Sequence, residues 1–514
     1  MTLSMNRRTI MCTTAAAALA GAVRAPVAFA QQRGANLPAA DYYEILELNA
    51  RFTHGLDSGA DDGRMFANAF TPDGAYIDGA HTTQGSEQLA AMARATAQKS
   101  LSNMVHFVVN IKVDPVPGGA RQYAYVQIVG QTAAGRELVI DGGQYWDDLV
   151  KTTNGWRIRR RTFLKSGTPR PAPEAIFTPG PTGPAPRSPA SALSPLDRAQ
   201  IFQLYSHYAI SFDKVFDEGA AFANLFTPDG VLVDVTGKTT AGHDKLMRMV
   251  WDKGPIDVKT YFTNILLEPT ATGVNARAYM MNAILDPMPA SPYITPLAMS
   301  FDQIVKTPAG WRFKRKTMVA PHAPLPQDVA TALQAPPAKA GSAHADHVSA
   351  HGLTAQDYAD IQHNYAQYPH GFDSHVEDGA WYLGVFTDTA EFTDQYDRKA
   401  IGRDGLYKTY ILGRPTQPIA FSHSTWNVMI DPAPWGAAGR CYTGGGRAND
   451  PTKTDSSPGL LGDYTDIHVK TPDGWKFQER KFWQHFVRPV ASGAGRQTPG
   501  QTPAQAQPQP AAPR

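Results

Sequence analysis

Three aspartates carry the clearest chemical signal in the chain: Asp57, Asp213 and Asp373. Each lies near the end of a stretch patterned as an amphipathic helix. An aromatic residue stands five positions before it (Phe52, Tyr208, Tyr368), and a Phe thirteen after it (Phe70, Phe226, Phe386). A carboxylate buried against one nitrogen of an imidazole fixes the tautomer and supports positive charge on the ring. The other nitrogen, in an apolar cavity, can then take a proton from beside a carbonyl or a leaving group. Such help is worth on the order of 10²–10⁴ in rate. Histidines placed for the task are His54 and His370, three before their aspartates, and His106 and His423, four before Asn110 and Asn427. The second stretch has Thr260 at that last position. Plainer roles compete: an aspartate ahead of a short helix caps it, and a core histidine bonds a backbone group. Asp213, with no histidine at hand, favours the cap.

The elements that must hold these residues recur in one order, three times. After the acidic turn and Phe-Thr comes a strand (Gly74 to Asp78, Gly230 to Asp234, Ala390 to Asp394). A glycine then opens a helix at Gly85, Gly242 and Gly402. Next is a strand with Asn110, Asn264 or Asn427 that closes on an acidic-Pro pair, since proline cannot donate to a ladder. A further strand leads to a hairpin reading DDLVKTTNGWRIRRR, DQIVKTPAGWRFKRK and DIHVKTPDGWKFQER, with X-Gly turns. Five residues after each hairpin Trp stands a base: Arg161, Lys316, Arg480. Alternation along RIRRR makes a solvated strand face their plainer role. Fixed offsets kept in three places imply a tandem repeat of whole domains. Helices followed by antiparallel strands imply α+β.

Composition sets the outer bounds. The chain has 514 residues, 42% hydrophobic and 18% charged, with net charge +2. That balance is globular, and without a long basic run it argues against nucleic acid as a partner. No apolar run after the leader is long enough to span a bilayer, so no membrane role is expected. Residues 1–30 read as an export signal: Arg7-Arg8 in a twin-arginine-like context, an Ala-rich apolar stretch, and Ala28-Phe29-Ala30 as a cleavage site. A periplasmic destination follows. Cleavage leaves Cys441 as the one cysteine, so no intramolecular disulfide forms and four-cysteine metal sites are excluded. The third unit is rich in histidine, but no ligand spacing stands out and no metal is expected. Pro/Ala/Gly-rich stretches read as linkers and a disordered tail. The expected organisation is units 38–165, 196–319 and 352–487, linkers 166–195 and 320–351, and tail 488–514.

This order of landmarks resembles the SnoaL-like family of the nuclear transport factor 2-like superfamily, in three copies over nearly all of the mature chain. The resemblance implies a curved antiparallel sheet wrapped around a long N-terminal helix, making a cone with an apolar cavity. In dehydratase-like members an aspartate of the first helix pairs with a histidine of a later strand, near a tyrosine. By that likeness Asp57 pairs with His106 and Asp373 with His423, while Asp213 lacks a partner. Tyr208 and Tyr368 match the family tyrosine, where the first unit has Phe52. Arg161, Lys316 and Arg480 match a cavity arginine of some members.

Only the third unit keeps all four groups. There His423 would be the base, Tyr368 would polarise a carbonyl or protonate a departing hydroxyl, and Arg480 would steady negative charge. The implied activity is a cofactor-independent lyase or isomerase acting on a small, mostly apolar, oxygenated molecule. The competing class is a non-catalytic binding or interaction protein with three cavities. An epoxide hydrolase would need a water-binding carboxylate cluster that the sequence does not offer. Relatives that work as trimers or dimers allow a covalent pseudo-trimer; the long linkers allow independent units. The fold itself is compatible with many activities.

Overall fold

The computed structural model describes residues 37–99, 105–131, 137–178, 193–254, 258–284, 293–320, 323, 326–327, 331, 352–414, 418–419, 423–446 and 458–487. The export signal, most of the second linker and the tail lie outside the described residues. So does segment 447–457, which follows the strand ending at Gly446.

The first unit runs α1 (Ala39–Ser58), α2 (Arg64–Ala67), β1 (Phe70–Asp78), β2 (His81–Gln84), α3 (Ser86–Lys99), β3 (Val105–Val116), β4 (Gly119–Gln131), β5 (Glu137–Thr152) and β6 (Gly155–Lys165). A helical turn, α4 (Pro173–Ile176), follows in the first linker. The second unit runs α5 (Pro195–Lys214), α6 (Ala220–Ala223), β7 (Phe226–Val233), β8 (Thr239–Ala241), α7 (His243–Lys253), β9 (Val258–Thr270), β10 (Gly273–Ile284), β11 (Tyr293–Thr307) and β12 (Gly310–Val319). The third runs α8 (Ala355–Ser374), α9 (Val376–Leu383), β13 (Phe386–Thr393), β14 (Lys399–Ile401), α10 (Gly402–Tyr410), β15 (Ser424–Ala433), β16 (Gly436–Gly446), β17 (Pro458–Thr471) and β18 (Gly474–Val487).

Each unit is therefore a six-stranded sheet preceded by a long helix, the α+β cone expected from the sequence. Within each sheet one pair is parallel (β1 with β6, β7 with β12, β13 with β18) and the rest are antiparallel. The sheets are mixed where wholly antiparallel ones were expected, because the strand after the helices enters beside the last strand and runs the same way.

Local chemistry explains the recurring motifs. Ser194 with Asp197, and Thr354 with Asp357, form reciprocal capping boxes at the starts of α5 and α8. The same aspartates reach the final hairpin. Asp357 accepts from the Trp475 indole at 2.8 Å and from Lys470 at 2.6 Å, and Asp197 accepts from Trp311 and Lys306 at 2.9 and 2.7 Å. Asp41 does the same for Trp156 and Lys151. The Lys and Trp of each VKT-x-x-GW hairpin thus clamp the helix to the sheet. The acidic turns Asp61-Asp62-Gly63, Asp217-Glu218-Gly219 and Glu377-Asp378-Gly379 all have positive φ. There the closing glycine is required sterically as well: a Cβ on Gly63 would lie 2.2 Å from the Ala90 carbonyl oxygen.

The first linker is partly packed, contrary to a reading as structureless chain. Phe177 stacks on Trp146 with centroids 5.8 Å apart and planes 1° from parallel, and Thr178 donates to Asp148. The aromatic side chains supply the apolar burial that the rest of this Pro-rich stretch lacks.

Candidate functional site

The last strand in the order of each sheet (β3, β9, β15) is bent at its asparagine. Asn110, Asn264 and Asn427 have φ of 52°, 53° and 51°, and the β3–β4, β9–β10 and β15–β16 ladders shift register there. Asparagine tolerates this left-handed geometry better than most side chains. Each amide also bridges to another unit. Asn110 donates to the His423 carbonyl at 3.0 Å and accepts from the Thr425 N–H at 2.8 Å. Asn264 makes the same pair of bonds with His106 and Val108, and Asn427 with Thr260 and Phe262. The links run one way round, from unit 1 to 3, 3 to 2 and 2 to 1.

This bridging fixes the backbone at His106, Thr260 and His423, where the candidate acids meet it. Asp57 Oδ1 lies 2.5 Å from His106 Nδ1, and Asp57 Oδ2 accepts from the His106 N–H at 3.0 Å. Asp373 holds His423 through the same two contacts, ring Nδ1 and backbone N–H. In the second unit Asp213 holds Thr260 through its N–H and hydroxyl, at 2.7 and 2.8 Å. None of the three aspartates caps the following helix, since no side-chain cap is present there. His54 and His370 do not reach them either: each ring turns to an asparagine carbonyl of another unit, Asn264 at 2.9 Å and Asn110 at 2.8 Å. Burial holds both rings neutral, with pKa lowered to about 4 for His54 and about 3 for His370.

A third contact, not anticipated from the sequence, comes from another unit. Tyr125 donates to Asp373 Oδ2 at 2.8 Å, Tyr279 to Asp57 Oδ2 at 2.9 Å and Tyr442 to Asp213 Oδ2 at 3.0 Å. The signal was present, because each tyrosine stands fifteen residues after its unit's asparagine. Every carboxylate therefore accepts three hydrogen bonds. Burial would raise the Asp373 carboxyl, but the imidazole and the tyrosine outweigh it and hold the pKa below the usual range. Asp213 lacks the imidazole, and burial raises it to about 6. Through Nδ1 these contacts orient the ring and leave Nε2 as the nitrogen open to a guest. The His423 side chain is 22% exposed and that of His106 is 9% exposed.

The bases after the hairpin tryptophans do not face solvent. Arg161, Lys316 and Arg480 are buried inside the cones, each opposite an aspartate that opens the hairpin nine residues before its Trp. Arg161 binds Asp147 at 2.6 and 2.8 Å and Asn49 at 2.6 Å. Lys316 binds Asp302 at 2.9 Å and Ser300 at 2.7 Å. Arg480 is held more loosely, 3.6 Å from Asp466, with its guanidinium stacked 3.7 Å over Tyr464 and 4.2 Å over Tyr368. Its Nε and Nη1 make no hydrogen bond among the described residues, nor do Asp466 Oδ1 and the Tyr382 hydroxyl. Burial raises Asp466 to about 6 against the pull of Arg480 and Tyr365. Tyr368 is kept protonated by burial and packs on Phe372, whose ring also meets the His423 ring at 4.8 Å. Asp373 with His423, and Tyr368 with Arg480, thus form two pairs that share Phe372.

A separate cavity of about 140 Å³ is lined from all three units, by Asn110, Asn264, Asn427, Tyr205 and Tyr365 among others. No member of the two pairs lines it. Among the described residues no group of three or more His, Cys, Asp or Glu is placed to hold a metal, and no helix is long and apolar enough to cross a membrane.

With this geometry in view, the SnoaL-like domain pattern matches the chain at residues 38–162, 194–317 and 353–481. The chain belongs to the SnoaL-like domain family. Solved structures similar to single SnoaL-like units include Rv3472 of Mycobacterium tuberculosis, with 25% identity over 24% of this chain and 69% of that one and a TM-score of 0.22. An NTF2-like protein with a cystatin-like fold from Novosphingobium aromaticivorans has 24% identity over 27% and 86%, with a TM-score of 0.23. ActVI-ORFA from Streptomyces coelicolor has 20% identity over 24% and 98%, with a TM-score of 0.21. A comparison with curated proteins gives no match. In the three SnoaL-like units the histidine is present twice and the tyrosine of the long helix twice, and only the third has both.

Proposed function

We propose that the protein is an exported, cofactor-independent lyase or isomerase whose third unit abstracts a proton from a small, mostly apolar, oxygenated molecule. The observation that carries the reading is the His423 ring, held through Nδ1 by an aspartate whose other oxygen is already occupied by the His423 N–H and the Tyr125 hydroxyl. Asp373 so placed orients the ring and supports charge on it, and His423 Nε2 is the base. Tyr368 and Arg480 form the polar end of the aromatic interior. The two unbonded guanidinium nitrogens are donors available to an oxygen that gains negative charge. Arg161 keeps one unbonded nitrogen, Nη1, its Nε and Nη2 being bound to Asp147 and Asn49, and the first unit has Phe52 in place of the tyrosine. Asp57 and His106 are thereby a second, weaker base, and the second unit is a scaffold. The three units act as a covalent pseudo-trimer, and the leader over residues 1–30 sends the chain to the periplasm.

Turnover of a panel of hydroxylated ketones and phenols tests this. His423→Ala should lower kcat by about 10²–10⁴, and His106→Ala should leave most of the activity. Unchanged turnover in His423→Ala would remove the proposed base. A binding protein is the second reading, favoured by Thr260 in place of a histidine. It predicts saturable binding of such molecules with no product and no dependence on His423.

A further inference from the structure

The outer face of each sheet packs on the helices of another unit: β3 on α8, β9 on α1 and β15 on α5. The three grooves so formed are equivalent in position and differ in content. In the first, Tyr123 and Trp146 face Trp381, and the linker inserts Phe177 flat against Trp146, with the Arg121 guanidinium 4.9 Å over the inserted ring. In the second, Arg277 pairs with Glu268 at 2.8 Å across the strands. In the third, Thr465 and Ala221 stand where the first has Trp146 and Trp381, and a cleft of about 420 Å³ remains. Arg440 and Asp431 there match Arg277 and Glu268, but they are not paired. Asp431 lies 3.2 Å from His207 of the second unit. Arg440 has no carboxylate partner among the described residues, and its guanidinium stands 5.5 Å over the Phe216 ring, which is 36% exposed.

We propose that this cleft binds a small aromatic carboxylate, with its ring between Phe216 and Met429 and its carboxylate on Arg440. The volume falls in the range of small-molecule pockets. An unpaired guanidinium in a half-buried cleft selects a planar anion that it can grip with two N–H groups. The equivalent groove shows what the rest of the space accepts, since its own occupant is a flat ring stacked on an aromatic wall beside a guanidinium. Asp431, the acidic side chain at this rim, has its carboxylate 3.2 Å from His207 Nε2. Asp466 borders the cleft only through its strand, because its carboxylate points into the cone and accepts from Tyr365 at 2.6 Å. The chain's own tail is a poor occupant: residues 488–514 contain no aromatic residue, Ile, Leu, Asp or Glu. None of the residues assigned to the reaction lines this cleft, so the proposal stands apart from the proposed chemistry.

Calorimetric titration of the full-length protein with benzoate tests it. One saturable site is expected, weakened at least tenfold in Arg440→Ala and in Ala221→Trp, which fills the cleft as Trp381 fills its counterpart. Benzamide, of the same shape without the charge, should bind at least tenfold more weakly, and His423→Ala should leave benzoate binding unchanged. Circular dichroism shows whether each variant is folded, and either one alone decides the outcome. Absence of saturable benzoate binding, or binding by folded Arg440→Ala equal to the parent's, overturns the proposal. So does a tenfold gain in affinity on removal of residues 488–514, which would give the cleft to the tail.

Discussion

Asp213 and Asp373 occupy the same place in two copies of one fold, yet their protons behave in opposite ways. Both are buried and both accept a tyrosine hydroxyl from another unit. The difference is the partner, Thr260 or His423. Asp213 is raised from 3.8 to about 6 by burial, so the folded chain holds a proton that the unfolded chain has released between those values. Its contribution to stability is full below about pH 4, is lost as pH rises to about 6, and stays lost above. Asp213→Asn removes this titration. Its amide can still accept from the Thr260 N–H and Tyr442 and donate to the Thr260 hydroxyl. Relative to the parent, the variant should gain on the order of 3 kcal/mol between pH 4 and pH 7. Asp373 is depressed, so its contribution is present above the unfolded pKa and is lost as pH falls. Asp373→Asn should therefore cost stability at neutral pH, by an amount that shrinks in acid. Urea unfolding at both pH values checks the signs, and a flat difference for Asp213→Asn would contradict the burial argument.

The strand bulge shows how much the chain disclosed by itself. Elements, their order and the α+β class were legible because each motif has a local cause: the capping boxes, the acidic left-handed turn, and the hairpin whose Lys and Trp return to the helix aspartate. The meeting of Asp373 with His423 came from likeness to a family, since a separation of fifty positions carries no spacing rule. Tyr125 was marked by its recurrence fifteen residues after the asparagine, but nothing in the sequence named Asp373 as its partner. The two lie 248 positions apart, and only the closing of one unit on another joins them. The asparagines were visible, but not their double duty as bulge and bridge. Asn264→Ala should cost on the order of 2–4 kcal/mol, combining left-handed strain with two lost hydrogen bonds. Asn264→Gly keeps the backbone geometry and should recover the strain component. Denaturant unfolding of the pair separates the two. Equal losses would mean that the bend costs nothing and the bridge is everything.

At the scale of the whole molecule, the bridges and the tyrosines run the same way round three units, so no unit owns a complete site. The third unit's pair needs Tyr125 and Asn110 from the first, and the first unit's pair needs Tyr279 and Asn264 from the second. Fusion into one chain keeps the three copies in fixed order and permits them to diverge. Thr260 is then tolerable, because the second unit still supplies Tyr279 to Asp57. A chain cut within residues 332–351 should accordingly remain one particle, with its two pieces coeluting in size exclusion, since the contacts and not the linker hold it. Residues 352–487 expressed alone should bind and turn over nothing that the full chain does, even if folded. Tyr125→Phe in the intact chain gives the sharper reading. It leaves every residue of the third unit in place and removes one hydrogen bond to Asp373, worth about 1.5–3 kcal/mol when the acceptor is charged. With the Asp373 carboxylate less firmly held, the His423 ring is less well oriented, so kcat should fall about tenfold with KM little changed, and the pH–rate profile should shift as the freed carboxylate becomes more basic. The same substitution at Tyr442 faces the second unit, which lacks the histidine, and should leave kcat alone. Equal effects of the two on kcat would show that the tyrosines merely brace the assembly.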